Sequence, residues 1–127
     1  MNKISITAII MTYNEEIHLK RCLISLKNVC NEIIVIDSYS NDLTIEIAKD
    51  YGARLYQNKW INYATQFNWA IENIQISSDW VLRIDADEYL SNELISYLTK
   101  LNNVNNEIKG ITLNRLMYFM DKPLKYG

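Results

Sequence analysis

The sequence predicts an α/β fold with three layers (α/β/α), in which helices cover both faces of a mostly parallel, doubly wound sheet. Short apolar and β-branched segments alternate with segments of helical hydrophobic periodicity along the chain. This β-α-β-α-β-α-β-α-β order requires crossovers between parallel strands, and right-handed crossovers place helices on both sides of the sheet. The 127 residues have the usual size of a single domain, so we expect residues 1–127 to form one.

Five segments have the composition of strands. The first is apolar and β-branched throughout, which is typical of a central strand buried on both faces. The last alternates between apolar and polar residues, and residues 117–127 after it show no regular pattern and are predicted to be irregular. The predicted strands are residues 4–11, 32–36, 54–56, 80–84 and 110–116.

Four segments between these strands have helical periodicity. The first is expected to start at Glu15, because Glu15 and Glu16 suit the positive end of a helix dipole. Ser91 is a suitable N-cap for the last helix, and Gly52 a suitable stop for the second. The predicted helices start at Glu15 and span 43–51, 63–73 and 92–101; the buried stripes are Ile17, Leu19, Leu23, Ile24 and Leu26 in the first helix and Ala64, Phe67, Ala70, Ile71 and Ile74 in the third.

Composition excludes several classes of protein. The formal net charge is −2 and there is no long basic run, so nothing indicates a nucleic-acid partner. No stretch approaches the roughly 18 apolar residues of a transmembrane helix. The two cysteines, Cys22 and Cys30, are too few for a disulfide framework and are expected to be small buried thiols. A cytoplasmic location fits this cysteine content.

An acidic cluster follows the fourth predicted strand. Asp85, Asp87 and Glu88 lie within four residues, directly after an apolar run. Carboxylates so close together repel one another, and burial increases the cost. A divalent metal bound to phosphate would compensate them. On these residues alone, a solvated helix N-terminus remains an equally good interpretation.

Polar residues also follow the first and second predicted strands. Residues 12–15 end the first strand and Asp37 ends the second. Because the carboxyl ends of parallel strands lie at the same edge of a sheet, these residues should face the acidic cluster across one ligand site. Tyr13 offers a ring on which a base can stack, and Asp37 offers acceptors for a base or ribose. Asp85 and Asp87 offer oxygens to a ribose hydroxyl and a metal.

Together these segments resemble the nucleotide-binding part of an inverting family-2 glycosyltransferase of GT-A fold. The matching pieces occur in the family's order: residues 12–15, 37–44 and the Asp-x-Asp segment 80–88. Residues 66–70 add to the resemblance, which is greatest to the bacterial transferases that build the lipopolysaccharide core. An Asp-x-Asp triplet alone is weak evidence, whereas three motifs in the right order on the right strand ends are strong evidence.

The resemblance implies a role for each matching residue. Thr12 and Tyr13 would contact the base, whose edge Asp37 would recognise, and Asp85 would face the ribose or the metal. Asp87 would be the principal ligand of a divalent metal, Mn²⁺ or Mg²⁺. The implied donor is a nucleotide-diphosphate sugar, with UDP expected, and the implied acceptor is a glycan or glycolipid. The implied nucleotide-binding residues are Thr12, Tyr13, Asn14, Glu15, Asp37, Gln66 and Asp85; the implied metal ligands are Asp87 and Asp85.

The resemblance also implies an acceptor-binding part that carries the catalytic base. We expect this base beyond Gly127, since Asp121 is the only acid after Glu107 and lies in the predicted irregular tail. An alternative function is therefore a truncated donor-binding module that is inactive alone. The resemblance further implies a glycine near Tyr39, which the sequence lacks. Contact with the inner face of the membrane and homo-oligomer formation are compatible with this class of enzyme.

Overall fold

A computed structural model of the chain describes residues 5–100 and the backbone of residues 117–119. The predicted strand 110–116 and Asp121 lie outside the described residues. Strands and helices alternate in the predicted order. They are β1 (Ile6–Thr12), α1 (Leu19–Leu26), β2 (Glu32–Asp37), α2 (Thr44–Asp50), β3 (Arg54–Gln57), α3 (Tyr63–Asn73), β4 (Trp80–Asp85), α4 (Asn92–Thr99) and β5 (Met117–Phe119).

The five strands form one sheet in the order β3-β2-β1-β4-β5. β1 pairs in parallel with β2 and β4, and β2 pairs in parallel with β3. β5 is antiparallel to β4, with Phe119 opposite Trp80. The prediction that residues 117–127 are irregular was therefore wrong for these three residues. A three-residue strand is too short to show alternation, and its pairing with β4 arises from tertiary structure.

Apolar side chains cover both faces of the sheet, which confirms the three-layer prediction. Ala8 and Ile10 of β1 belong to a core shared with α1, α2 and α4. Ile9 and Met11 point to the other face, where they pack with residues of α3. This division follows from the two-residue period of a strand, which sends successive side chains to opposite faces. β1 lies at the centre, and all seven of its residues are buried.

Helix α1 begins at Leu19, one turn later than predicted. Asn14 has a φ of 52°, a left-handed conformation that does not occur within a right-handed helix. A turn follows in which the Glu15 carbonyl accepts hydrogen bonds from the amides of His18 (3.1 Å) and Leu19 (2.9 Å). Glu15 therefore lies in a loop and not in the first turn of a helix. The predicted buried stripes were also too wide, because only the side chains nearest the sheet reach the core; Ile17, Ile24 and Ala64 are exposed.

Both cysteines are sheltered, as predicted. Cys22 is buried and Cys30 is half-buried, and neither forms a disulfide. Burial is the main reason why the pKa of each thiol rises to about 12. At neutral pH both remain protonated, so they act as small apolar side chains.

Tyr39 occupies the position at which a glycine was expected. Its φ is 60°, the left-handed region that favours glycine, and its side chain is exposed. The loop thus keeps a glycine-like backbone although tyrosine stands there. The left-handed conformation costs a residue with a Cβ atom about 1 kcal/mol or more.

We expect Tyr39→Gly to stabilise the protein. Relief of the left-handed conformation outweighs the extra entropy of the unfolded chain, for a net gain of about 0.5–1 kcal/mol in the free energy of unfolding. Urea denaturation measures this change. Tyr39→Ala is the matched control, because it removes the same ring and retains the Cβ atom. A stability of Tyr39→Gly no higher than that of Tyr39→Ala would contradict the prediction.

Candidate functional site

A cavity of about 640 Å³ opens at the carboxyl ends of β1, β2 and β4. This is the edge of the sheet at which the polar motifs were predicted to meet, and the volume suits a small organic ligand. The cavity has an acidic side and an aromatic side. Its lining residues are Met11, Thr12, Tyr13, Glu15, Ser38, Trp60, Tyr63, Asp85, Ala86 and Asp87.

Three carboxylates lie on the acidic side of the cavity. Desolvation raises the pKa of Asp85, and the charges of Glu88 and Asp87 raise it further. Desolvation and then the charge of Asp87 raise the pKa of Glu15. Within residues 5–100, no hydrogen bond or salt bridge holds the side chain of Asp85 or Asp87. The acidic side therefore carries negative charge that a cation would stabilise.

The carboxylates suit a cation that takes most of its ligands from a substrate. Among residues 5–100, no three His, Cys, Asp or Glu side chains are grouped to hold a metal ion by themselves. Mg²⁺, and Mn²⁺ with similar oxygen preference, is usually held by one or two carboxylates together with substrate phosphates and water. Asp85 and Asp87 supply the two carboxylates, and the cavity beside them has room for the phosphates.

Two sets of contacts hold the acidic residues after β4 in place, one from helix α1 and one within the turn of residues 85–88. The Arg21 guanidinium lies 4.3 Å from the centroid of the Tyr89 ring, and its Nη2 donates to the Asp87 carbonyl at 3.4 Å. The Asp85 amide donates to Glu88 Oε1 at 2.8 Å, so Glu88 caps the turn. Sequence reasoning did not identify Arg21, because a basic residue on a helix usually only faces solvent.

Asp37 is fully buried and binds the loop that follows it. Its Oδ1 accepts hydrogen bonds from the hydroxyls of Thr12 (2.7 Å) and Ser40 (2.6 Å). Its Oδ2 accepts one from the Ser40 amide at 2.8 Å and a long one from Gln57 Nε2 at 3.5 Å. In this structure the carboxylate supports the cavity wall from behind. Direct recognition of a base by Asp37 stays a prediction.

Gln66 is likewise buried behind the wall of the cavity. Its Nε2 donates to Ser38 Oγ (3.1 Å) and to the Asn58 carbonyl (3.2 Å), and its Oε1 accepts from Asn58 Nδ2 (2.9 Å). Ser38 lines the cavity, so Gln66 acts on the site through it. A contact of Gln66 with a nucleotide also stays a prediction.

Asn14 and Glu15 join the loop after β1 to the loop after β2. The backbone amide of Asn14 donates to Ser40 Oγ at 2.7 Å. The side-chain oxygen Oδ1 of Asn14 accepts from the backbone amide of Asn41 at 2.9 Å. The Glu15 amide donates to Thr44 Oγ1 at 2.8 Å. These bonds fix the loop from which Tyr13 and Glu15 reach the cavity.

The structure divides the predicted site residues into two groups. Five line the cavity: Thr12, Tyr13, Glu15, Asp85 and Asp87. The other three, Asn14, Asp37 and Gln66, hold its loops.

Sequence reasoning missed the aromatic side of the cavity. The sequence predicts that the three tryptophans, Trp60, Trp69 and Trp80, bury apolar area in the core or under the site. However, 46% of the Trp60 surface is exposed, and Trp60 lines the cavity with Tyr63. The signal was its place in a polar connection that follows the carboxyl end of β3. Trp69 and Trp80 do pack in the core, as predicted.

Comparison with known proteins identifies the family. Residues 7–122 match the family model described as Glycosyl transferase family 2. The chain belongs to this family. An uncharacterised glycosyltransferase of Rickettsia typhi is 46% identical to this family-2 chain over 94 residues, which are 74% of the chain and 31% of that protein. The lipopolysaccharide core biosynthesis glycosyltransferase LpsC of Rhizobium meliloti is 35% identical over 93% of this chain and 44% of that protein. The family-2 chain thus spans less than half the length of these relatives.

Solved structures establish the fold as GT-A. TarS 1–349 of Staphylococcus aureus has a TM-score of 0.56 at 25% identity, covering 74% of this chain and 31% of that one. Glucosyl-3-phosphoglycerate synthase of Mycobacterium tuberculosis, solved with Mn²⁺, UDP and glucosyl-3-phosphoglycerate, has a TM-score of 0.58. Its 22% identity, over 68% of this chain and 36% of that one, is evidence for the fold alone. The predicted fold and family are confirmed.

Proposed function

We propose that this family-2 chain forms the donor site of a glycosyltransferase, which binds a nucleotide-diphosphate sugar with a divalent cation. One observation carries the proposal: Asp85 and Asp87 lie without ion-pair partners, among the described residues, in the same cavity as the Tyr13 ring. A nucleotide presents a flat base to a ring and, through its diphosphate, a site for a cation that carboxylates also bind. The reaction would be transfer of the sugar, with inversion, to a glycan or glycolipid.

Four of the cavity residues have a role in this proposal. Tyr13 stacks on the base, and Thr12 contacts it beside Tyr13. Asp87 is the principal ligand of Mn²⁺ or Mg²⁺, and Asp85 binds the cation or the ribose. When bound, the cation neutralises the diphosphate as it departs. UDP is the expected nucleotide, and support comes from related folds solved with UDP, alone or with Mn²⁺.

The acceptor and the location are further parts of the proposal. LpsC is named for lipopolysaccharide core biosynthesis, which supports an acceptor of that kind. No helix among residues 5–100 is long and apolar enough to span a membrane. A cytoplasmic site of action, contact with the inner face of the membrane and self-association remain proposals.

A second candidate function is donor binding without transfer. The chain covers 31% and 44% of its two named relatives, and none of the cavity carboxylates is assigned the role of catalytic base. A general base has to lie within hydrogen-bond reach of the acceptor hydroxyl. If the chain carries no such base, it binds the donor and cation and does not transfer the sugar.

Calorimetric titration of UDP with and without Mn²⁺ tests the proposed function. We expect Mn²⁺ to tighten UDP binding by about tenfold or more, since the cation relieves repulsion between the diphosphate and the carboxylates. Equal binding under both conditions would contradict a metal-diphosphate site. Donor hydrolysis, assayed as release of UDP from UDP-sugars, then separates the two candidates. Binding without any release or transfer supports the donor-binding module.

A further inference from the structure

The rings of Trp60 and Tyr63 form an aromatic wall along one side of the cavity. Their centroids are 5.9 Å apart and their planes meet at 87°, an edge-to-face contact. Both residues line the cavity, and nearly half of the Trp60 surface is exposed. A large ring left open to solvent inside a ligand-sized cavity is a favourable surface for an apolar face of a ligand.

The loop that carries the aromatic wall is fixed at both ends. On one side, Asn58 Nδ2 donates to Gln66 Oε1 at 2.9 Å and its carbonyl accepts from Gln66 Nε2 at 3.2 Å. On the other side, Asn62 Oδ1 caps α3 by accepting from the Thr65 amide at 2.8 Å. The wall is therefore formed before a ligand arrives, which reduces the entropy lost on binding.

The Tyr63 end of the aromatic wall reaches β4. The Arg83 guanidinium lies 5.0 Å from the Tyr63 ring centroid. Arg83 and Asp85 are two residues apart on β4, so they point to the same face of the sheet. Tyr13 and Ser38, in contrast, follow β1 and β2. The wall thus extends from the loop after β3 to β4, the strand that ends at the acidic residues.

We propose that the aromatic wall stacks against a pyranose ring. This inference rests on the proposed function, in which the base lies at Tyr13 and the diphosphate at Asp85 and Asp87. The group beyond the diphosphate in such a donor is a sugar, and the acceptor sugar has to approach the same place. A pyranose has a face of C–H bonds that packs on an aromatic ring. Its hydroxyls lie around the rim of the ring and can donate hydrogen bonds to carboxylates.

The indole N–H resonance of Trp60 tests this proposal directly. The chain has three tryptophans, so the resonance can be assigned by its loss in Trp60→Phe. Mn²⁺ is replaced by diamagnetic Mg²⁺, and the shift caused by UDP alone is recorded first as the reference. UDP-glucose, UDP-galactose and UDP-N-acetylglucosamine form the donor arm, and methyl α-glucoside and methyl α-mannoside, added over UDP, form the acceptor arm. We expect the resonance to shift with a sugar-bearing ligand from at least one arm, and that arm identifies the source of the ring.

Calorimetry on variants supplies the second measurement. We expect Trp60→Ala to weaken the sugar-bearing ligand by about 3- to 10-fold relative to wild type, the usual contribution of one aromatic stacking contact. Binding of UDP should remain unchanged, and Trp60→Phe should recover part of the loss. Ile61→Ala is the matched control, because Ile61 is exposed beside Trp60 and does not line the cavity.

Three results would overturn the proposal. The first is that no sugar-bearing ligand shifts the Trp60 indole beyond the shift caused by UDP. The second is that Trp60→Ala weakens UDP as much as it weakens UDP-sugars, which would make the wall a platform for the base. The third is that Ile61→Ala has the same effect as Trp60→Ala. Failure of wild type to bind UDP at all would instead refute the proposed function, so the two failures are distinguishable.

Discussion

Replacement of Asp87 by alanine is expected to abolish most of the effect of Mn²⁺ on UDP binding. Asp87 lines the cavity, is exposed, and its side chain has no hydrogen bond or salt bridge with another residue of the described ranges. Loss of a metal ligand should weaken Mn²⁺-dependent UDP binding by about 100-fold. Residues that only hydrogen-bond a metal ligand typically contribute about 10- to 100-fold, and a direct ligand should contribute at least as much. Calorimetric titration of UDP into wild type and Asp87→Ala measures the affinity for UDP with Mn²⁺ and the affinity without it.

The same substitution should leave folding intact. Removal of Asp87 reduces repulsion on Glu15 and Asp85, whose pKa values its charge raises. The melting temperature without ligand should therefore be unchanged or slightly higher. Asp79→Asn is the matched control, because Asp79 precedes the same strand β4 at its other end. Undiminished Mn²⁺-dependent binding by Asp87→Ala, or an equal loss in Asp79→Asn, would contradict the assigned role.

Asp37→Ala is expected to have the largest effect on stability. The carboxylate is fully buried, and its removal leaves the Thr12 hydroxyl and the amide and hydroxyl of Ser40 without their acceptor. Buried donors without partners cost about 1–3 kcal/mol each when they cannot reach water, so we expect a loss of about 3 kcal/mol in the free energy of unfolding. Urea denaturation measures the loss.

Two further variants define the cause of this loss. Asp50→Ala removes an exposed carboxylate at the end of α2 and should change stability by less than about 0.5 kcal/mol. Asp37→Asn keeps the shape of the side chain, but its NH₂ group is a donor and replaces one of the two oxygens that accept hydrogen bonds in wild type. We expect it to be intermediate between wild type and Asp37→Ala. If Asp37→Ala is as stable as Asp50→Ala, the buried network does not support the cavity wall.

The fold was predictable because its signals are local. Apolar β-branched segments such as β1 and the amphipathic stripe of α1 each appear in a few consecutive residues. The edge that carries the site followed as well, since parallel strands bring Tyr13 and Asp85 to one side of the sheet whatever the loops do. Backbone order was thus enough to predict the architecture and half of the cavity wall.

The remaining features depend on contacts between distant residues. The hydrogen bonds that the Asp37 carboxylate accepts from the hydroxyls of Thr12 and Ser40 were not predictable from its residue type. Trp60 was assigned to apolar packing, whereas bonds around Gln66 hold its loop over the cavity. In each case the residue type indicated a role in or near the site. The direction of the side chain depended on hydrogen bonds that the residue type does not reveal, such as the one from Thr12, which is 25 positions from Asp37.

A divalent cation is expected to bind at Asp85 and Asp87 together with a nucleoside diphosphate. Paramagnetic broadening of amide resonances by Mn²⁺, in the presence of UDP, locates the cation directly. β1 has seven residues and spans roughly 20 Å, so the two edges of the sheet are well separated. We expect the amides of Asp85 to Glu88 to broaden first, while those of Asn31 and Asp79 at the opposite edge stay sharp. Broadening at Asn31 or Asp79 with sharp resonances from Asp85 to Glu88 would contradict it.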